Sequence, residues 1–484
     1  MRGLPFKFAL LGAVLLLLIS AYYWADNTSV NEEKIRVIGV FCIVNLIYIY
    51  YSWYRCQGSF LNGYIIFVTA FYVFNLGQPI LKVFDYVDPY YDLLDSSNKL
   101  QLSIDTYYQS IYISTVSILF MHFGALTSLG KDRTAIFIRN VDEETETNRI
   151  KLYKKVNAIK KISLILLVIS FPFWFYETIQ LISFSVVYGY GGELIDVKSK
   201  IPSFVRILSD YYEPSLLCLY FCSEYLKKKQ YVLLFIILLT VIIPPLVIGG
   251  RSQAVIAVIM VAIVHYLFYK VNTKRLLLMC VVAYFSLFVL FLVKKTRGST
   301  GNTIETYSEL LSREETTPIS TVLSEMGYSM YPLAATMEIV PERDDYRYGS
   351  TYLWGLTTLI PNLGFWERHP GVENANLGEW LMKKKNLYFG PGYSLTAEAY
   401  INFGYLGLVF FYIFGFLLAK YCKYINKKYI VDKPFLIIIT LVFLWFSIKT
   451  VRNSFLGIVR AFFYVSLPMY WAFSYYYYKS LNKR

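Results

Sequence analysis

Apolar runs of about 17–25 residues recur along the chain, parted by clusters of charge. No charged residue interrupts the stretch from Phe8 to Trp24, or the one from Pro434 to Ile448. A helix rises about 1.5 Å per residue, so about 20 such residues cross the hydrocarbon core of a bilayer. Inside lipid every backbone N–H and C=O must be paired, which leaves helices and closed barrels as the spanning structures. Barrel strands are only about ten residues long and alternate in polarity, and these runs do neither. With 56% apolar and only 17% charged residues, a soluble enzyme and a disordered chain are excluded as well. The fold class expected is all-α, a polytopic helical membrane protein.

The runs place about twelve spans, at 8–24, 35–54, 61–80, 107–128, 162–184, 206–226, 231–249, 253–270, 276–293, 396–419, 434–450 and 456–477. Three are imperfect. The third carries Asn75 and Gly77, the sixth carries Arg206, Asp210 and Glu213, and Pro244-Pro245 is expected to break the seventh. Residues 1–293 therefore hold spans one to nine with an insert at 129–161, 294–395 form one large loop, and 396–484 hold spans ten to twelve. Arg2 and Lys7 before an apolar stretch resemble a signal peptide, but no small-residue cleavage site precedes Tyr22-Tyr23-Trp24, so this stretch reads as the first span. No repeat at a fixed period and no inverted repeat is visible.

Basic residues fall on alternate loops: nine in 131–161, then Lys227-Lys228-Lys229, Lys274-Arg275 and the run from Lys420 to Lys433. The third loop is acidic instead, with Asp85, Asp88, Asp92, Asp95 and Asp105. The positive-inside rule puts both termini in the cytoplasm and the 294–395 loop outside. The net charge of +14 is then mostly a topology signal, and no nucleic-acid partner is expected. A structured loop of that length is unusual and points to function. Short helices are expected within it, around 319–338, and its apolar patches at 351–361 and 376–382 are expected to dock on the membrane.

Some cations break the charge rule on the outer side. Arg251 sits in Gly249-Gly250-Arg251-Ser252 with almost no loop around it. Lys294, Lys295 and Arg297 follow the ninth span, Lys449 ends the eleventh, and Arg452 and Arg460 flank the start of the twelfth. An ionisable group at bilayer depth costs about 2.5–3.5 kcal/mol on insertion scales, so it usually marks a substrate path. Snorkelling to lipid headgroups is the plain alternative, strongest for the lysines. Guanidinium groups gathered at one depth would suit a diphosphate, which they pair bidentately.

Glu398 opens the tenth span, where a carboxylate can simply cap its own helix, yet Tyr400, Asn402 and Gly404 follow it inside an apolar run. Glu325 and His369 are the other candidate proton-exchanging groups, both in the large loop. His122 and His265 read as satisfied core residues. Cys42, Cys56, Cys218, Cys222, Cys280 and Cys422 lie in or beside apolar runs, which argues against a disulfide framework or a metal site. No nucleotide-binding, zinc-protease or serine-hydrolase motif is present.

Gly249-Gly250-Arg251-Ser252, Glu325-Met326-Gly327, Gly349-Ser350-Thr351-Tyr352 and the stretch Gly392-Tyr393-Ser394 to Glu398-Ala399-Tyr400-Ile401-Asn402-Phe403-Gly404 together resemble the Wzy-type O-antigen and oligosaccharide repeat-unit polymerases. The Gly392–Gly404 stretch is the most specific part. The resemblance implies a GT-C-like, metal- and cofactor-independent glycosyltransferase in the bacterial cytoplasmic (inner) membrane. It would use undecaprenyl-diphosphate-linked oligosaccharides among membrane lipids, beside a chain-length regulator and a flippase. Arg251, Arg297, Arg452, Arg460 and Lys295 would bind the diphosphate, and Glu398, Glu325 or His369 would serve as base. The rivals are an O-antigen-ligase-like glycosyltransferase, which shares the donor chemistry, and a lipid-linked oligosaccharide flippase or other transporter.

Overall fold

Apolar runs that cannot leave a backbone group unpaired in lipid take the local structure that pairs every group within the run. The computed structural model is accordingly all-helical, 81% of it helix, with no strand among the described residues. It describes residues 3–25, 29–130 (except 61, 97 and 99), 146–188, 201–248, 251–269, 318–387 (except 361, 363 and 364) and 390–482 (except 427 and 428).

Eight described helices are long and apolar enough to cross a membrane: Leu4–Ala25, Glu32–Gln57, Ile104–Gly130, Arg149–Ser185, Gln230–Ile248, Leu395–Cys422, Pro434–Arg452 and Phe455–Asn482. The other expected spans differ. The third is a short helix, Gly63–Asn75, which stops at Leu76 and restarts as Gly77–Lys82. The sixth is two helices, Ser203–Ser209 and Tyr212–Leu226, that meet at Asp210 and Tyr211. The eighth is Arg251–Phe268, only 18 residues long. The ninth, 276–293, lies outside the described residues, as do Lys294, Lys295 and Arg297.

Pro244-Pro245 does not break the seventh span, contrary to expectation. A π-helical turn, Leu238–Ile242, comes just before the prolines. A proline ring collides with the carbonyl four residues back, and a wider turn at that place relieves the collision. The last span repeats the device, with a π turn at Ala461–Ser466 ahead of Pro468.

Two spans lie in closer contact than ordinary side chains allow. A Cβ on Gly124 would stand 1.9 Å from the Tyr412 carbonyl oxygen, and one on Gly415 would stand 1.9 Å from that of Met121. Small residues let helix backbones approach in lipid, where packing rather than hydrophobicity holds helices together. His122 lies on the same helix as Gly124, fully buried between the Ser52 hydroxyl (2.7 Å) and the Tyr64 hydroxyl (2.9 Å).

Residues 318–387, expected to belong to the large loop, fold into short helices where they are described. Pro318–Gly327 and Tyr331–Met337, joined by a 3-10 turn at Tyr328–Met330, match the helix expected around 319–338. Ser350–Thr357, Pro370–Ala375 and Leu377–Lys384 follow. The first of these helices seats on the broken third span through glycines: a Cβ on Gly327 would meet the Gln78 amide nitrogen at 2.6 Å. Gln78 in turn donates to the Ser324 carbonyl (3.0 Å), and the Thr321 hydroxyl donates to Asp88 (2.8 Å). On Ser350–Thr357, Thr351 and Gly355 point inward while Leu353, Trp354 and Leu356 are exposed, as is Ile360 beyond the helix end.

Candidate functional site

Ser394 caps the helix Leu395–Phe403, its hydroxyl accepting from the Ala397 N–H at 3.2 Å. Glu398 is therefore not needed to cap its own helix. It is buried, 1% exposed, and reaches across to two other segments. One carboxylate oxygen accepts from the Thr351 hydroxyl (2.9 Å), the other from the backbone N–H of Phe455 (2.5 Å). Phe455 begins the last span, and the first turn of a helix has N–H groups without partners and a field that favours an anion. Asn402, one turn further on, donates to Thr351 and to the Glu398 carbonyl, both at 2.7 Å, and accepts from the Gly349 N–H at 2.9 Å. Two of the segments singled out in the sequence, Gly349–Tyr352 and Gly392–Gly404, thus meet in one buried knot.

The helix ends at Gly404, at φ 57° and ψ −133°, a conformation that side chains resist. Its last carbonyls are taken up from the loop: the Arg347 N–H donates to Ile401 (2.8 Å) and the Tyr348 N–H to Asn402 (3.0 Å). Tyr352 stacks on Phe410 and meets Phe455 edge-on, both at 5.1 Å between ring centroids.

Arg452 stands beside this knot. It ends the 3-10 turn Ile448–Arg452, and its guanidinium lies 5.2 Å from the centre of the Phe74 ring, in cation–π range. Lys449 is three residues back, and in a 3-10 turn such positions eclipse, about 6 Å apart along the axis. Both side chains keep solvent access while Ile448, Thr450 and Val451 are buried.

Glu325 is half-buried on the helix Pro318–Gly327. His369 has both ring nitrogens engaged: Nδ1 accepts from the Gly371 N–H at 2.9 Å, which assigns the proton to Nε2, 2.9 Å from the Ile360 carbonyl. It fastens the turn before Pro370–Ala375. Nearby, Arg368 grips Glu379 with both guanidinium arms (3.2 and 2.6 Å).

A second polar cluster lies among the spans. At the bend of the sixth, Glu213 accepts from the Trp445 indole (2.8 Å) and from Gln253. Gln253 is in the first turn of the helix that Arg251 opens. Asp210, on the same bend, interacts electrostatically with Glu177, Glu213, Lys449 and Arg460. Arg460 interacts with Asp210, Arg206 and Tyr464. Arg460 and the first turn of the helix Arg251–Phe268 thus both lie near this bend, while the Arg251 side chain lies outside what the structure describes. Arg452 joins that neighbourhood through the turn it shares with Lys449.

The family model for O-antigen polysaccharide polymerase Wzy matches residues 7–484, nearly the whole chain. The chain belongs to the Wzy family. No curated protein and no solved structure matches it. This Wzy chain is a multi-pass O-antigen polymerase, and membership implies lipid-linked oligosaccharide substrates and a lipid surround. The sequence singled out Glu398, Asn402 and Arg452. It did not single out Thr351 as the link between Glu398 and Asn402, and it noted Asp210 and Arg206 only as blemishes in a span. Charge inside an apolar run was the signal for both.

Proposed function

We propose that this Wzy polymerase moves a growing glycan from its polyprenyl diphosphate onto a sugar hydroxyl of the next lipid-linked repeat unit, at the outer face of the cytoplasmic membrane. The observation that carries the reading is the family match over residues 7–484. The convergence of Glu398, Thr351, Asn402 and Arg452 beside one span terminus supports it. In this proposal Arg452, Arg460, Arg251, Arg297 and Lys295 neutralise the departing diphosphate, which asks for preorganised positive charge. Glu398, Glu325 and His369 are the candidate bases; Glu398 is held by Thr351 and Phe455, and His369 by Gly371 and Ile360. A chain-length regulator and a flippase are the proposed partners. The test is the purified full chain in liposomes, supplied with lipid-linked repeat units from the host's membranes. A ladder of lipid-linked polymer is expected, and release or transfer without lengthening would overturn the reading.

A further inference from the structure

We propose that Asp210 is the catalytic base of the polymerisation and that Arg206, Lys449 and Arg460 form the anion subsite facing it. The inference rests on the polymerase reading above and goes beyond it by placing the reacting atoms at the bend of the sixth span.

Four observations lead there. The bend falls where the helix Ser203–Ser209 ends at Asp210 and a new helix starts at Tyr212; Pro214 has no N–H for the Asp210 carbonyl four residues back, and its ring would collide with that carbonyl in a continuous helix. Asp210 and Arg460 both keep exposed surface, although charged groups from several helices stand close to them. Lys449 and Arg460 stand within electrostatic reach of Asp210, and Arg206 within reach of Arg460, yet among the described residues no ion pair closes between Asp210 and any of the three. Finally, the Arg206 Nε–H is buried with no partner, and Arg206 is otherwise held only by a long contact to the Ser203 hydroxyl (3.4 Å).

A set of charges gathered but not paired to one another is preorganised for something else. Glu213 is tied to Trp445 and Gln253, which leaves Asp210 as the carboxylate on this bend not held by hydrogen bonds. Asp210 and Arg206 are four residues apart on one helical turn, which separates their Cβ atoms by about 5–6 Å. Lys449 and Arg460, carried by other spans, would take the diphosphate on the face of the anomeric carbon opposite the acceptor hydroxyl. The step balances as a displacement. The acceptor hydroxyl forms the new C–O bond to the donor's anomeric carbon, and its proton passes to the Asp210 carboxylate. The bond from that carbon to the diphosphate breaks, its electron pair stays on the diphosphate oxygen, and the three cations stabilise the charge.

The experiment uses the full chain in liposomes with host-derived lipid-linked repeat units and measures polymer formed over time. Asp210→Asn is expected to lower kcat roughly 100-fold, the lower range for a lost general base, with KM nearly unchanged. Asp210→Glu is expected to restore part of the rate, which a merely misfolded protein would not do. Arg206→Gln and Lys449→Gln are expected to raise KM and to weaken inhibition by added inorganic diphosphate about tenfold, the effect of about 1.4 kcal/mol. A wild-type chain that makes no ladder removes the polymerase reading itself. A wild-type ladder with Asp210→Asn as active as wild type removes only Asp210 as base. If Glu325→Gln alone then abolishes turnover, the base lies in the loop.

Discussion

Asn402 is fully buried and uses its side chain in three hydrogen bonds, to Thr351, to the Glu398 carbonyl and from Gly349. Replacing it by alanine leaves buried groups without partners, which costs about 1–3 kcal/mol for each such group. Asn402→Ala is therefore expected to lower the thermal midpoint in detergent and to reduce polymer yield. A midpoint equal to wild type would show that the knot carries no stability. Glu379 gives a pH signature. Its carboxyl is pulled from 4.5 down to about 2, first by the hydrogen bond from Arg368 and further by Lys383, against the opposing effect of burial. A carboxyl whose folded pKa is lowered contributes stability above its ordinary pKa, and that contribution fades as pH falls from about 4.5 towards about 2. The difference in thermal midpoint between wild type and Arg368→Gln should thus be full at pH 6 and shrink through that window. Glu398 was legible as an odd carboxylate in an apolar run, but its attachment to Phe455, 57 residues away, was not. Helix periodicity carries no information on which distant N–H a side chain will reach.

Among the elements, the crossing of Ile104–Gly130 with Leu408–Cys422 depends on two positions that tolerate no Cβ. Gly124→Ala forces either the helices apart or the backbone to shift, and overpacking of this kind costs about 1–3 kcal/mol, sometimes more. The expected outcome is poor membrane yield and a lowered thermal midpoint, whereas Gly130→Ala, with nothing within 4 Å of the added carbon, should match wild type. The apolar runs marked all eight described helices long enough to cross a membrane, but the π turns were hidden, because their cause is the proline that follows rather than any residue within them. On the helix Ser350–Thr357, Leu353 (66%) and Trp354 (38%) are exposed while Gly355 approaches Phe455 and Leu456 at the start of a span, and docking of the exposed face on the membrane is the expectation to test. A spin label on Leu353→Cys should be reached by dissolved oxygen more readily than by a water-soluble nickel chelate, and the opposite ranking would put this helix in water.

For the whole molecule, the alternation of basic loops assigns a side to each end of the bundle, and this is open to a direct check. In intact cells with the native cysteines replaced, a membrane-impermeant maleimide should label Asp345→Cys but reach Lys479→Cys only after permeabilisation. Equal labelling of both would reverse the orientation argument. Architecture of this kind reads well from sequence because lipid leaves one solution for a long apolar run. Convergence reads poorly: Lys449 and Arg460 lie more than two hundred residues from Asp210, and only packing brings them near it. One junction also limits how the molecule can be taken apart. The broken helix at Gly404 relies on amides of Arg347 and Tyr348 to complete its last turn. Excising residues 318–387 would strip those donors and leave the Ile401 and Asn402 carbonyls unpaired, so this segment and the helix it completes are expected to melt together as one cooperative unit.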